Sequence, residues 1–233
     1  MESIDKVDGT FGKRRTEQKN TVSSAVIRRL PRYHRCLGDL IRAGEKRISS
    51  SELARIMGFT ASQIRQDLNC FGGFGQQGYG YNIKFLYNKI SELLGVNESY
   101  NAVIIGAGKL GRALAATHMF ERRGINRLAM FDVDPEVIGT TIYGVPVYSV
   151  DELGSFCRSN NVHIGVLTVP KEVAYGVAEV IVEAGVKGIW NFANMELKLE
   201  QTDVIVENIH LGDSLMALCY EIKTANEKRE KND

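Results

Sequence analysis

Residues 101–134 read NAVIIGAGKLGRALAATHMFERRGINRLAMFDVD, and this stretch decides the fold. An apolar run, Ala102 to Ile105, predicts a buried parallel strand that leads into the glycine sequence at residues 106–111. A helical pattern follows, with Arg122 and Arg123 near its end and Gly124 as its stop, and a second strand ends at Asp132. Strand, G-x-G-x-x-G turn, helix, strand and acid occur in the order of a dinucleotide-binding α/β unit. We therefore predict a Rossmann-type, doubly wound parallel sheet.

Each glycine of the motif has its own role in this prediction. Gly106 permits a tight turn, Gly108 lets a pyrophosphate approach the backbone, and Gly111 lets the helix pack closely on the strand. The free amides at the start of the helix would hold the phosphates. Asp132, 21 positions after Gly111, would accept the ribose hydroxyls and repel a 2′-phosphate, which favours NAD(H) over NADP(H). The predicted contacts are Gly106, Ala107, Gly108, Lys109, Leu110, Gly111, Asp132 and Val133. Coenzyme A or another nucleotide in a related domain is the alternative ligand.

The rest of this half alternates between apolar strands and amphipathic helices, including a short helix predicted over Pro135–Ile138. Ligands in such sheets bind beyond the carboxyl ends of the strands, so residues after two buried strands should form the nicotinamide side of the pocket. These residues are Thr168, Val169, Pro170, Asn191, Phe192 and Ala193. A last amphipathic helix, Leu211–Lys223, would pack either on a partner subunit or on its own domain.

The composition is that of a folded protein. A chain of 233 residues with 44% hydrophobic residues suffices for one large or two modest domains. No apolar run approaches the ~20 residues that span a bilayer. The polar N-terminus lacks the apolar segment of a signal peptide, so we expect a cytoplasmic protein with no membrane partner. The four cysteines show no C-x-x-C spacing, and we expect free thiols in a reducing compartment and no metal site.

The net charge of +1 conceals an asymmetry between the two halves of the chain. Residues 1–95 carry 16 Lys and Arg against 9 Asp and Glu, whereas residues 96–233 carry 13 against 19. A basic half beside an acidic nucleotide domain suggests that the first half binds a polyanion. A solvated surface with uneven charge is the simpler alternative.

The basic half contains a helix-turn-helix pattern. One helix is predicted to end at Leu30 and the next to begin at Pro31, which suits a first helical turn. A later helix ends at Gly58, and Thr60–Gln63 predicts a capping box that opens the second helix of the pair. Its outward side chains suit the major groove, because arginine bonds guanine bidentately and glutamine bonds adenine. They are Ser62, Gln63, Arg65 and Gln66.

Glycine and aromatic residues alternate over residues 71–82, which predicts a β-hairpin, the wing of a winged helix, with Gln76 and Gln77 at its tip. The predicted DNA contacts are Arg29, Arg32, Arg35, Ser49, Ser50, Thr60, Ser62, Gln63, Arg65, Gln66, Gln76, Gln77, Tyr79 and Tyr81. A small helical domain for dimerisation or protein contact is the alternative to DNA binding.

The chemistry of an enzyme is missing from the pattern. A dehydrogenase needs a general acid or base, and the candidates are His34, His118, His163 and His210. His163 stands at a strand start and should be structural, and His210 has no Asp or Arg partner pattern. No serine, tyrosine or cysteine nucleophile constellation is present, so we predict no catalytic residues. A nucleotide pocket without catalytic groups, beside a DNA-binding half, favours a sensor over an NAD-dependent oxidoreductase whose basic half serves dimerisation.

Nine segments resemble the redox-sensing transcriptional repressors of the Rex family and occur in the same order as in that family: RRLPRYHRCL, RISSSELA, TASQIRQDL, GYGYN, GAGKLGRAL, FDVDPEVIG, LTVP, GIWNFA and VEN. The resemblance covers residues 25–222. It implies a homodimer whose winged helices bind a palindromic operator, and a Rossmann domain that binds NADH or NAD⁺. It further implies that NAD⁺ permits DNA binding, that NADH releases the repressor, and that the C-terminal helix is exchanged between subunits.

Some positions depart from the common family pattern, namely Gln66, Gln76, Gln77, Thr117, Asn194 and His210. The glutamines would weaken phosphate contacts. Thr117 and His210 bear on the coupling between domains. The sequence thus predicts a disordered arm over residues 1–20, a winged-helix domain over 21–95, a Rossmann domain over 96–209, a swapped helix over 210–224 and a charged tail over 225–233.

Overall fold

The computed structural model describes residues 23–70, 75–76 and 80–230. The predicted disordered arm and the predicted wing residues Gln77 and Tyr79 lie outside the described residues, as do the side chains of the strand at residues 75–76. The chain divides into two compact units, Met1–Gly95 and Val96–Asp233.

The described part of the first unit contains four helices and a small antiparallel sheet. The helices are α1 (Ser24–Arg42), α2 (Ser50–Met57), α3 (Ala61–Asn69) and α4 (Ile83–Leu94). The strands are β1 (Arg47–Ile48), β2 (Gly75–Gln76) and β3 (Gly80–Asn82), in the order β1-β3-β2. Because β2 pairs antiparallel with β3, Gly75 opposite Tyr81, these strands form the predicted hairpin after α3.

Helix α1 differs from the prediction of two helices that meet at Pro31. It runs without a break from Ser24 to Arg42, and Pro31 lies inside it on the exposed side. A proline removes one backbone hydrogen bond. Leu30, Tyr33 and Leu37 are at most 2% exposed and lie at helical spacing on both sides of Pro31, so their burial on one core holds the two segments in line.

Two caps fix the helix-turn-helix. The Ser49 hydroxyl accepts from the Glu52 amide, and the Glu52 carboxylate accepts from the Ser49 amide, which is a complete capping box that the sequence analysis did not identify. At α3 only half of the predicted box forms. The Thr60 hydroxyl accepts from the Gln63 amide at 3.1 Å, but the Gln63 side chain bonds Asp67 instead of the Thr60 backbone.

The second unit is a seven-stranded sheet with helices. Its strands are β4 (Tyr100–Ile105), β5 (Ile125–Asp132), β6 (Thr141–Ile142), β7 (Val145–Ser149), β8 (Ile164–Leu167), β9 (Gly188–Asn191) and β10 (Ile205–Asn208). Its helices are α5 (Lys109–Ala115), α6 (Leu153–Ser159), α7 (Lys171–Glu183) and α8 (Leu211–Glu230), with 3-10 turns at Glu121–Arg123 and Val150–Glu152.

The strand order is β10-β9-β8-β4-β5-β7-β6, parallel except for the β6 edge. Strand β4 therefore lies between β5 and β8, and the chain reverses its direction of winding there, which opens a crevice at the carboxyl ends of β4 and β8. Ala102 to Ile105 are at most 1% exposed, as a central strand covered on both faces requires.

Helix α5 is shorter than predicted and stops at Ala115 instead of continuing to the predicted stop at Gly124. Side chains satisfy its last carbonyls: the Thr117 hydroxyl donates to the Leu114 oxygen at 2.8 Å, and Arg127 donates to the Ala115 oxygen. Phe120 then turns into the core at 2% exposure. The short helix predicted over Pro135–Ile138 is instead a hydrogen-bonded turn.

Helix α8 is longer than predicted and continues to Glu230, through most of the segment expected to be a charged tail. Its side chains are exposed in this chain apart from the half-buried Thr224. Leu211, Leu215, Leu218 and Ile222 recur on one side of the helix and are each more than half exposed. Across the described residues, no helix is both long and apolar enough to cross a membrane.

Candidate functional site

The glycine loop occupies the crevice between β4 and β8. Gly106 has φ +101°, and a Cβ there would lie 2.8 Å from the Thr168 carbonyl oxygen. A Cβ on Gly111 would lie 1.9 Å from the Gly106 oxygen, so the start of α5 packs directly on the loop. Apart from its chain neighbours, no heavy atom of the described residues lies within 4 Å of a Cβ on Gly108. Its open side is the approach that a pyrophosphate would need, and α5 begins there without a side-chain cap.

Asp132 has a second role that the motif does not reveal. One carboxylate oxygen accepts the Ala107 amide at 2.5 Å, and the other accepts the amides of Val133 at 2.8 Å and Asp134 at 3.0 Å. The carboxylate therefore ties the glycine loop to the end of β5. A carboxylate has about four acceptor positions, so about one remains for a ribose hydroxyl.

A groove of about 350 Å³ lies beside this carboxylate and the glycine loop. Its lining residues are Ala107, Gly108, Lys109, Arg112, Asp132, Asp134 and Val137. Arg112 and Val137 were not among the contacts predicted from the sequence. Arg112 lies one turn after Gly108 and donates to the Ala107 oxygen at 2.6 Å, a contact that spacing along a helix could have indicated. The open glycine, the two cations and the acceptor at Asp132 fit a dinucleotide.

The predicted nicotinamide side is only partly exposed. The Thr168 hydroxyl donates to the Gly106 oxygen at 2.8 Å and to the Ile105 oxygen at 3.0 Å, which locks the end of β8 to the glycine loop. Phe192 follows alongside, its amide bonded to the Leu167 oxygen. Val169 is half-buried, and Pro170 is exposed.

Asn191, predicted to line the nicotinamide side, is engaged in hydrogen bonds within its own domain. It is fully buried, donates to the Met195 and Asn208 oxygens, and accepts from the Ala193 amide at 3.0 Å. Its amide holds the loop that carries Phe192 and the 3%-exposed Ala193. A buried polar side chain needs such partners, so Asn191 shapes this edge without presenting a free group.

Three of the four histidines, His34, His163 and His210, have structural partners. The His163 ring accepts from the Asn101 amide at 3.0 Å, which confirms its predicted structural role. His210 lies 3.0 Å from the Glu196 carboxylate, and His34 lies 3.0 Å from the Ser91 hydroxyl. Among the described residues, no group of three or more His, Cys, Asp or Glu could hold a metal ion. Burial raises the pKa of the Cys157 thiol to about 11 and also raises that of Cys36, so both thiols are kept protonated.

On the first unit, α3 presents Ser62, Arg65 and Gln66 to solvent. The Arg65 guanidinium donates to the Ser50 hydroxyl at 3.1 Å, so residues from both helices of the motif form one polar surface. Ser49 and Thr60 act as N-caps, and Arg35 is exposed on α1. The tip of the wing carries predicted contacts outside the described residues.

Three predicted DNA contacts have other roles. Arg29 forms a bidentate ion pair with Asp67, with both distances at 2.7 Å. Arg32 donates to the Met57 oxygen, the last carbonyl of α2, and lies over the Phe59 ring at 4.5 Å. Tyr81 is 8% exposed in the core. The sequence pattern could not separate these side chains from solvated ones, because the partners come from distant parts of the chain.

Asp67 is the buried centre of this unit, with no exposed surface. Burial alone would raise the pKa of its carboxyl, but hydrogen bonds from Arg29, Tyr33 and Gln63 outweigh that effect and lower it. The same carboxylate and burial raise the pKa of Tyr33. The ion pair therefore connects α1 to α3 in its charged form.

Comparisons with known proteins agree with both units. Residues 21–69 match the family model described as "Putative DNA-binding protein N-terminus", and residues 97–195 match the one described as "CoA binding domain". A redox-sensing transcriptional repressor Rex from Clostridium botulinum (strain Alaska E43 / Type E3) is 50% identical over 206 residues, which cover 88% of this chain and 98% of that protein. The chain belongs to the Rex family.

Further Rex proteins give the same result. That of Caldanaerobacter subterraneus subsp. tengcongensis is 51% identical over 205 residues, 88% of this chain and 91% of its own. The solved structure of RSP with β-NAD⁺ and operator DNA has a TM-score of 0.82 at 50% identity and covers 91% of this chain and 98% of that chain. RSP with β-NADH has a TM-score of 0.83 at 47% identity, with 90% and 98% covered. The predicted winged-helix and Rossmann fold and the resemblance to Rex are confirmed.

Proposed function

We propose that this chain is a transcriptional repressor that binds operator DNA when NAD⁺ is abundant and is released by NADH. One observation carries the proposal: RSP, half identical to this chain and of the same fold, has been solved both with NAD⁺ on its operator and with NADH. In support, the glycine loop borders a groove that would hold the nucleotide, and α3 has a polar surface that would contact DNA.

The nucleotide contacts follow from the groove. The phosphates of the nucleotide would lie against the open side of Gly108 and the first amides of α5. The positive charge of Lys109 would balance their negative charge. The ribose would bond the remaining acceptor of Asp132, whose charge disfavours a 2′-phosphate. The nicotinamide would lie toward Thr168 and Phe192. The redox state of that ring supplies the signal, since only the oxidised ring is positively charged.

The DNA contacts would come from α3 and the start of α2. Ser62, Gln63, Arg65 and Gln66 would enter the major groove, with Ser49, Ser50 and Thr60 near phosphates. We retain Arg35 and the wing residues Gln76, Gln77 and Tyr79 as contacts. We exclude Arg29 because its guanidinium is paired with Asp67, and Tyr81 because it is buried in the core.

A palindromic operator requires two copies of the motif, and we propose a homodimer in which α8 packs on the partner subunit. The row of exposed leucines and Ile222 on α8 supports this, because a solvated helix with such a row would expose apolar area with nothing to cover it. The two recognition helices would then enter successive major grooves about 34 Å apart. A repressor of this kind works on the chromosome, in the cytoplasm.

Regulation then rests on a difference in affinity. The arrangement of the two winged helices that fits the operator must bind NADH more weakly than the arrangement that does not, because equal affinities would shift nothing. A coupling of about 1–3 kcal/mol corresponds to roughly 5- to 150-fold regulation. Operator DNA must then weaken NADH binding by the same factor.

Two alternatives make different predictions. The relatives are repressors, and three of the four histidines, including His210 near the last strand, have structural partners, so an oxidoreductase has little support. A sensor of coenzyme A is favoured by one observation, the match of residues 97–195 to a CoA binding domain model. That ligand would not need the acidic residue at the end of β5.

An operator gel shift with NADH, NAD⁺, NADPH and coenzyme A titrated separately tests the proposal. We expect NADH alone to release the DNA at low concentration. Release by coenzyme A would favour the second sensor, and turnover of an alcohol or 2-hydroxy acid would favour the enzyme. Affinity that is indifferent to the NADH/NAD⁺ ratio would disprove the proposal.

A further inference from the structure

The carboxylate of Asp67 accepts four hydrogen bonds from three side chains. Oδ2 accepts Arg29 Nε at 2.7 Å and Tyr33 Oη at 2.9 Å. Oδ1 accepts Arg29 Nη2 at 2.7 Å and Gln63 Nε2 at 2.8 Å. These bonds use the whole acceptor capacity of the group. Arg29 and Tyr33 belong to α1, so their bonds connect two helices.

The hydrogen bond from Gln63, unlike those from Arg29 and Tyr33, lies within a single helix. Gln63 lies one turn before Asp67 on the same helix, and it is half-buried between the core and the exposed residues Ser62 and Gln66. Helix α3 is already held by its Thr60 cap and by the ion pair with Arg29. The main effect of this bond is therefore on the orientation of the Gln63 side chain.

The chemistry of the partner decides that orientation. An ionised carboxylate only accepts hydrogen bonds, so the Gln63 atom that faces Asp67 must be the amide nitrogen. The lowered pKa of Asp67 keeps it ionised. The two ends of a planar amide diverge, and the Gln63 oxygen is therefore the end left for another partner. Without Asp67 the amide could turn over and exchange its donor and acceptor.

We propose that Asp67 is a positioning residue that sets the base preference of the repressor through Gln63, by keeping the amide oxygen turned to the major groove. The inference rests on the proposed placement of α3 in that groove. An acceptor there selects bases that carry an exocyclic amine, adenine at N6 or cytosine at N4, and disfavours guanine O6 and thymine O4. Adenine also offers N7 to the second amide hydrogen and should be preferred.

The test uses the full-length protein with NAD⁺ and operators in which each base pair is varied to all four possibilities. Gln63→Ala identifies the contacted position as the one at which base preference disappears. There the wild type should prefer adenine or cytosine by about tenfold or more. Asp67→Asn should reduce that preference at least fivefold, and it should add no further loss of preference in the Gln63→Ala background.

Tyr33→Phe is the matched control, because it removes one bond from Asp67 and leaves the Gln63 bond in place. It should lower the unfolding temperature without changing base preference. Should Asp67→Asn fail to fold, NMR of the wild type decides: the Gln63 side-chain amide resonances must shift as the Asp67 carboxyl titrates.

Distinct outcomes would overturn the inference. The first is a wild-type preference for guanine or thymine at the position that Gln63 contacts. The second is an Asp67→Asn variant that folds and keeps the wild-type base preference, or that changes base preference no more than Tyr33→Phe does. The third is that the Gln63 amide resonances do not respond to the titration of Asp67. If Gln63→Ala changes no preference while NADH still releases the DNA, this inference fails and the proposed function stands. A wild type that binds no operator would disprove the proposed function itself.

Discussion

A Cβ on Gly111 would lie 1.9 Å from the carbonyl oxygen of Gly106, a distance that no packed structure tolerates. The oxygen belongs to the backbone of the glycine loop, and the Thr168 hydroxyl holds it in place at 2.8 Å. The start of α5 and the loop can therefore be this close only with glycine at position 111. The shape of the nucleotide groove depends on that contact.

Gly111→Ala should displace α5 from the loop and reduce NADH affinity by more than tenfold, measured by fluorescence titration. The control is Gly176→Ala on the exposed face of α7, where no described atom beyond the adjoining helix backbone and chain neighbours lies within 4 Å of the new methyl group. That variant should bind NADH normally and gain about 0.5–1 kcal/mol of stability, because alanine is the better helix residue. Normal NADH binding by Gly111→Ala would contradict the assigned groove.

Asp132→Ala should weaken NADH and NAD⁺ binding by more than tenfold, because it removes both the ribose acceptor and the tie to the Ala107 amide. Basal operator binding should persist, since the first unit is unchanged. Glu136→Ala removes an exposed carboxylate from the adjacent turn and should have no effect. On both variants, isothermal titration calorimetry measures nucleotide binding and a gel shift measures operator binding.

Asp67 makes the stability of the first unit dependent on pH. Its folded-state pKa is lower than its ordinary value of 3.8, so its contribution is fully present above about pH 4 and is lost as the pH falls through the folded pKa. Asp67→Asn should cost about 3 kcal/mol at pH 7, the low end of the range for a broken buried pair, because Arg29 keeps partial exposure. The difference between wild type and variant should shrink below about pH 4.

The control for this prediction is Asp39→Asn, which removes an exposed pair with Arg42. Exposed pairs contribute ~0–1 kcal/mol, so denaturant unfolding should show little change at any pH. A constant difference between wild type and Asp67→Asn from pH 7 to pH 3 would refute the assigned cause of the pKa shift.

Arg65→Ala should reduce operator affinity by about tenfold or more and leave nucleotide titration normal, because Arg65 extends from α3 with Ser50 as its partner. If Arg65 contacts a base, the variant should discriminate less between bases at one operator position. If it contacts a phosphate, the dependence of operator affinity on salt concentration should decrease by about one released counterion. Arg158→Ala, an exposed arginine on α6, controls for the loss of charge and should bind DNA normally.

Leu215→Lys should convert the proposed dimer to monomer, because Leu215 lies in the apolar row of α8. Ala217 lies about 200° further around the helix, so Ala217→Lys is the matched control on the opposite side. Analytical ultracentrifugation reports the assembly, and circular dichroism reports folding. A dimer that survives Leu215→Lys but not Ala217→Lys would place the interface on the other face.

Most elements of both units were predictable from local sequence. The structure has the glycine motif, the strand before it and the acid at the end of β5 where the sequence pattern predicts them. This pattern is typical of one arrangement, the strand–turn–helix–strand unit of a Rossmann-type sheet. The prediction was wrong where the decisive partner is far away. Helix α5 stops early because Arg127, twelve residues on, takes its last carbonyl, and α1 continues through Pro31 because its core contacts outweigh one lost hydrogen bond.

The sequence by itself determined the order of elements, the two-unit architecture and the glycine loop, because turns, periodicity and caps act over a few neighbouring residues. Only the tertiary structure decided which polar side chains are free. In sequence, Arg29 and Gln63 look equally suited to binding DNA. In the structure Arg29 neutralises the buried Asp67 carboxylate from 38 residues away, and Gln63 donates to the same carboxylate from one turn earlier on its own helix. An unpaired charge is costly when it is buried, and whether it is buried depends on its neighbours in the folded structure and not on its neighbours in the sequence.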